Sequence, residues 1–372
     1  MAIVAGTALI APSAHSVNLS TEAKATLSSD DTAQFAEIAE TYLQWRADSV
    51  TAVARDVRPL RSPRQLTATF LQRLGSEIEQ VAENGQALAE INGGYTRAEV
   101  DITPGEATVQ GDTVDLKITE DTRLLYPNVQ EGDPEAEEYS LDHTLTFKKS
   151  TSGEWLLSRD HVDPDTGPAP ITHVYTPIEA QQEADAEDEG EKGESSGTIP
   201  EPGDDATITK PTAGYSYKKM VAYAEKYWSN PKSEYRTYGS DCTNFVSQAM
   251  KAGGWAVVGP TDAGQRSNNK KWFYTIYVDR TSYTWAGAEN WYWFAKKHSG
   301  RTKILARTSQ LQLADVLQAD WTRNGVIDHT MIVTKVSGSE KYLTYHSKNT
   351  HNKKLSALLA QYPKAYWYAH RT

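Results

Sequence analysis

One thiol is available to this chain. Cys242, the only cysteine, lies in Tyr238-Gly-Ser-Asp-Cys-Thr-Asn-Phe-Val-Ser-Gln-Ala-Met-Lys-Ala-Gly-Gly. A thiol acts as a nucleophile in its thiolate form, so what matters is whether its surroundings favour negative charge. Gly239 and Ser240 make a turn and Asp241 can cap. Phe245, Val246, Ala249 and Met250 then recur as one buried helical face that stops at Gly253-Gly254. Cys242 is therefore expected on the first turn of a helix. Unpaired backbone N–H groups and the positive end of the helix dipole stabilise a thiolate there, and the Cys242 amide could help hold an oxyanion. The bland alternative is a small buried hydrophobe, a common fate of free cysteine.

A thiolate nucleophile needs a proton partner, normally histidine, and that ring needs an orienting acceptor. Ala314 to Trp321 reads as a strand, Asn324-Gly325 as a turn, Asp328 to Val336 as the next strand and Tyr342 to Ser347 as a third. This order puts His329 at the start of one strand and His346 at the end of its antiparallel neighbour, hence at one edge of the sheet. Cys242, His329 and His346 then form a nucleophile, base and orienter set. Asn244 and Gln248 lie near Cys242, where Asn244 could orient substrate or either could simply bond backbone. Asp328 is expected behind the reacting groups. No CxxC or HExxH spacing occurs, and the GxSxG match at Gly193-Glu-Ser-Ser-Gly197 lies in an acidic, apolar-poor stretch and not at a strand-to-helix elbow, so neither a metal site nor a serine hydrolase is expected, and no cofactor is implied.

The motifs Asp-Cys-Thr-Asn-Phe-Val-Ser-Gln, Asp-His-Thr-Met-Ile-Val-Thr and Tyr-Leu-Thr-Tyr-His-Ser-x-Asn-Thr resemble an amidase domain family of exported bacterial proteins. That family is similar to the CHAP and NlpC-type cell-wall hydrolases. The resemblance covers about Tyr215 to Trp367. It implies a papain-like fold in which Cys242 is the nucleophile, His329 the base and His346 the third polar residue, with Asn349 as a rival for that third role, as Asn is in papain. The implied function is a secreted cysteine amidase acting on amide bonds in peptidoglycan or its stem peptides. An acyltransferase using the same thioester, and a non-catalytic wall-binding module, are the alternatives.

The elements that must position these residues follow a division of charge. Residues 1–178 carry 13 Lys+Arg against 28 Asp+Glu, residues 179–209 carry 1 against 11, and residues 211–372 carry 23 against 10. The basic C-terminal part suits an anionic cell-wall polymer, and nucleic acid is not among the expected partners. It also holds 8 of the 10 Trp and 15 of the 20 Tyr. Trp285, Trp291, Tyr292 and Trp293 could wall a cleft or pack helices.

Residues 1–28 include an apolar run closed by small residues, as in the latter half of a secretory signal, without a basic start. Residues 29–176 read as a smaller α+β domain whose pattern is similar to NTF2-like modules. Its helices are expected around Phe35 to Trp45 and from Pro63 to about Val81, followed by an antiparallel meander. No catalytic cluster is expected in it, with His143, His161 and His173 taken as strand-face or loop residues. Residues 177–210, rich in Glu, Asp, Gly, Ser and Pro, form an acidic linker with too little apolar surface to fold. Residues 211–372 form the catalytic domain, also α+β.

Overall fold

The computed structural model describes residues 29–52, 62–162, 168–174 and 214–372. The signal-like segment and the acidic linker lie outside these residues. The first helix, α1 (Ser29–Asp48), buries Phe35, Ile38, Ala39, Tyr42 and Leu43 on the stripe that the sequence spacing defines. The second, α2 (Ala68–Asn92), starts and ends later than the periodicity suggests. The Thr67 hydroxyl accepts the Phe70 N–H at 3.3 Å and fixes the start. Gly93, at φ 87°, ends the helix with a left-handed residue that glycine adopts without strain.

Four antiparallel strands follow: β1 (Arg97–Gln110), β2 (Thr113–Leu125), β3 (Ala136–Lys149) and β4 (Trp155–Val162). Strict alternation in β2 and β3 turns Val114, Leu116, Ile118, Leu124, Tyr139, Leu141, Leu145 and Phe147 onto the helices.

In the C-terminal part, α3 (Tyr217–Tyr227) begins at a Ser216 cap, and α4 (Cys242–Ala252) begins at Cys242 as expected. Gly254, at φ 105°, turns the chain away after α4. The sheet continues with β5 (Lys303–Ile304), β6 (Val316–Asp320), β7 (His329–Ser337), β8 (Glu340–Tyr345) and β9 (Thr350–Lys354), then helix α5 (Leu355–Gln361) and β10 (Tyr366–Arg371). The α+β reading holds for both parts. No helix among the described residues is long and apolar enough to cross a membrane.

The two parts share one sheet of order β1-β2-β3-β9-β8-β7-β6-β10-β5, with β4 on β3. The seam is β3 against β9, with Glu138 opposite His351 and Tyr139 opposite Thr350. Charge complementarity closes it. Lys353 Nζ meets Glu137 at 3.0 Å with both side chains buried, and His351 bridges Glu138 at 2.8 Å and Glu225 at 2.7 Å. Tyr342 and Ala357 of the basic part pack into the core of the acidic part. Two further cores lie on opposite faces of the C-terminal strands. One joins α3 and α4 to Val316 and Ile332, and the other joins α5 to Leu317, Met331, Val333, Leu343 and Tyr345.

Candidate active site

Cys242 is 3% exposed, at the start of a helix whose side chains are buried as far as Met250. The residue before it is the centre of a polar cluster. Asp241 makes no side-chain cap on α4, contrary to its expected role. Its Oδ1 instead accepts the Tyr238 N–H at 2.9 Å and the Asn244 Nδ2–H at 2.8 Å, and its Oδ2 lies 2.6 Å from His346 Nδ1. The other nitrogen of His346, Nε2, donates to the Tyr227 carbonyl at 2.9 Å. The imidazole stacks on Phe245, one turn into α4, at 4.0 Å between centroids. His346 is thus clamped beside the helix start by a carboxylate, a carbonyl and an aromatic face.

The structure does not bring His329 to this cluster. Register places His329 opposite Ala319 and Thr330 opposite Gln318. Because successive strand side chains point to opposite faces, only one of His329 and Thr330 can face α4. That residue is Thr330, whose Oγ1 is 2.8 Å from Thr243 Oγ1 and accepts from Gln318 Nε2 at 3.0 Å. His329 points to the other face, with Met331 and Val333. It lies edge-on to Tyr345 at 5.1 Å and near Trp321 at 5.8 Å. It is fully buried, and neither ring nitrogen has a hydrogen-bond partner. Burial alone pushes its pKa down to about 3. The expected set of Cys242, His329 and His346 is therefore split across the sheet, and His346 orients nothing on His329.

The remaining candidates are placed as follows. Asn244 has both amide protons and its oxygen engaged, with Nδ2 on Arg236 O at 2.8 Å and on Asp241, and Oδ1 accepting Trp285 Nε1–H at 2.7 Å. It braces the 236–241 loop against α4 and is not presented to a substrate. Gln248 accepts from the Tyr223 hydroxyl at 2.6 Å. Asp328 accepts the Trp321 N–H at 2.9 Å, which holds the β6–β7 turn. Trp285, Trp291 and Tyr292 are buried packing residues rather than a cleft wall. Asn349 sits in a turn where Ser347, Lys348 and Asn349 all have positive φ, 67°, 76° and 31°. Non-glycine residues adopt that region at a cost, and such strain is concentrated at binding and active sites.

That turn lines a cavity of about 330 Å³ together with Asp241, His346, Tyr238 and, from β3, Ser140 and Asp142. The Asn349 carbonyl accepts the Ser140 N–H at 3.2 Å, so the acidic part supplies one wall. No local pattern announces that contribution, because it depends on β3 meeting β9. Outside this region, Glu120, His143 and His173 come together as a buried group able to hold a metal ion, although none was expected in the acidic part.

Residues 214–370 match the family described as Putative amidase domain. Two curated relatives come from Bacillus subtilis (strain 168). The Uncharacterized protein YjcM is 34% identical over 149 residues, covering 37% of this chain and 32% of the relative. The Uncharacterized protein YhbB is 30% identical over 123 residues, covering 32% of this chain and 37% of the relative. The chain thus spans about a third of the length of the curated relatives it matches. A solved structure, that of the Kfla4162 protein from Kribbella flavida, shares 18% identity over 36% of this chain and 91% of that chain. Its TM-score of 0.21 is too low to bear on the fold. The family match points to amide hydrolysis by the C-terminal part.

Proposed function

We propose that residues 214–372 hydrolyse an amide bond through a thioester on Cys242, with His346 and Asp241 as its acid–base pair. The observation that carries this reading is the Asp241–His346 contact, formed next to the first residue of α4 and open to the cavity. The Cys242 sulfur attacks the amide carbonyl carbon, and N–H groups of the first turn of α4 receive the oxyanion. His346, already donating from Nε2 to the Tyr227 carbonyl, passes that proton to the departing amine nitrogen as the C–N bond breaks. Water then attacks the thioester, gives one proton back to Nε2, and releases a carboxylic acid and the Cys242 thiolate, which restores the starting ion pair. Asp241 holds the ring by Nδ1 in both steps, the role of the third group in such triads. In this reading the histidine of the papain-like expectation is His346, one residue past the end of β8, in place of His329.

For substrate we propose amides of peptidoglycan stem peptides, reached by an exported protein. The excess of 23 Lys+Arg over 10 Asp+Glu in residues 211–372 supports attraction to anionic wall polymers. The test is the rate of Cys242 alkylation by iodoacetamide from pH 4 to 9, alongside hydrolysis of stem peptides. His346→Ala is expected to lose both the low-pH thiol reactivity and hydrolysis, while His329→Leu keeps them. Loss in His329→Leu with retention in His346→Ala would refute the assignment, and ordinary thiol reactivity in every form would refute the amidase reading.

A further inference from the structure

The acidic part contains a second polar centre, unrelated to Cys242. Strand pairing sets His143 opposite Ile118 on β2 and Val162 on β4. Glu120 and Asp160 are its diagonal neighbours on the same face, where alternation otherwise places leucines and phenylalanine. His143 Nε2 lies 2.9 Å from Glu120 Oε2, and His143 Nδ1 lies 2.9 Å from Asp160 Oδ1. The segment 168–174 brings His173 alongside, its Nε2 3.9 Å from the same Glu120 Oε2. Glu120, His143 and His173 are all buried, and one ligand atom of each lies within 4.8 Å of the others.

The hydrogen bonds around His173 fix which of its nitrogens carries a proton. Glu120 Oε1 accepts from the Tyr139 hydroxyl at 2.9 Å and from the Thr122 hydroxyl at 2.6 Å. Tyr139 has then used its one proton, so the Thr172 hydroxyl, 2.6 Å away, donates to it. Thr172 in turn can only accept from His173 Nδ1 at 3.0 Å. His173 Nε2 is left as a bare lone pair, buried, without a hydrogen-bond partner, and facing a carboxylate oxygen. Two buried acceptors facing each other are unfavourable unless something positive lies between them.

We propose that Glu120 Oε2, His143 Nε2 and His173 Nε2 bind one divalent transition-metal ion of the zinc type. Two imidazoles and a carboxylate are a favoured ligand set for zinc. Ligands about 2.0–2.1 Å from a tetrahedral ion stand about 3.4 Å apart, between the 2.9 Å and 3.9 Å separations present here. The supporting contacts are those of a built metal site. Asp160 takes the Nδ1–H of His143, Thr172 takes that of His173, and two hydroxyls hold the second oxygen of Glu120. Asp160 is itself held by the Tyr42 hydroxyl at 3.0 Å, behind which stands Arg46. The ion replaces the proton now shared between His143 and Glu120, so binding releases that proton to solvent.

The full chain, treated with chelator and then dialysed against zinc chloride, is expected to retain one zinc per chain by atomic absorption. Cys242→Ser should retain it equally, which separates this site from the thiol. His173→Ala should retain none, and Asp160→Asn should bind about 10–100-fold more weakly. If His173→Ala loses its far-UV circular dichroism, Thr172→Val, which keeps all three ligands, should still weaken binding. Cobalt(II) on the wild-type chain should give the intense visible bands of a tetrahedral complex. No retained zinc, retention unchanged in the folded His173 or Thr172 variant, or a pale octahedral cobalt spectrum would each overturn the proposal and leave a buried ion-pair network.

Discussion

Replacing His329 by leucine separates the two roles that this residue could have. In the folded chain the ring is fully buried among Met331, Trp321 and Tyr345, with both nitrogens unbonded. Its pKa lies at about 3, against about 6.5 in an unfolded chain. Because the folded value is depressed, the unfolded state takes up a proton first as pH falls. Stability is therefore intact above pH 6.5 and is lost progressively from there down to about pH 3. At about 1.4 kcal/mol per unit, the wild type loses about 2 kcal/mol from this one group between pH 7.5 and pH 5. His329→Leu removes that term while His173 and His370 remain in both proteins and cancel. At pH 7.5 the leucine also relieves two buried unsatisfied nitrogens, each worth about 1–3 kcal/mol, partly offset by altered packing. Urea unfolding followed by tryptophan fluorescence at the two pH values should show the variant losing about 2 kcal/mol less than the wild type, with amide hydrolysis retained. An equal pH-dependent loss in both proteins, or abolished hydrolysis with stability unchanged, would refute the placement of His329 on the far face of the sheet.

Other perturbations have equally definite outcomes. Asp241→Asn keeps shape but removes the charge facing His346 Nδ1, so kcat for amide hydrolysis should fall about 10²–10⁴-fold while the thermal midpoint moves little. Lys353→Met strands the Glu137 carboxylate at the β3–β9 seam and should cost about 3–5 kcal/mol in urea unfolding; a change near zero would mean the seam does not depend on this pair. Trp285→Phe leaves Asn244 Oδ1 without its donor and should destabilise by about 1–3 kcal/mol. Gly254→Ala, at φ 105°, should cost about 1 kcal/mol or more by thermal melting.

The local features were legible because short-range chemistry sets them. Helical spacing from Phe245 to Met250 and the paired glycines after it fix α4, so Cys242 at its first turn follows from the sequence. Alternation in β2 and β3 likewise fixes which residues meet the helices. That same alternation placed Glu120 and His143 in core-facing positions of adjacent strands. A charge pair in that register was a readable sign of a buried polar centre, and only His173, 30 residues further on, needed the tertiary fold to be added. The facing of His329 was not readable. From His329 to Thr334, β7 is buried on both faces, so its apolar residues do not alternate with polar ones and nothing in Asp-His-Thr-Met-Ile-Val distinguishes the α4 side from the α5 side. Packing of helices on both faces decided that Thr330 meets Thr243 and that His329 does not. The contribution of Ser140 and Asp142 to the cavity depended in the same way on a strand contact across more than 200 positions of sequence, which no local pattern encodes.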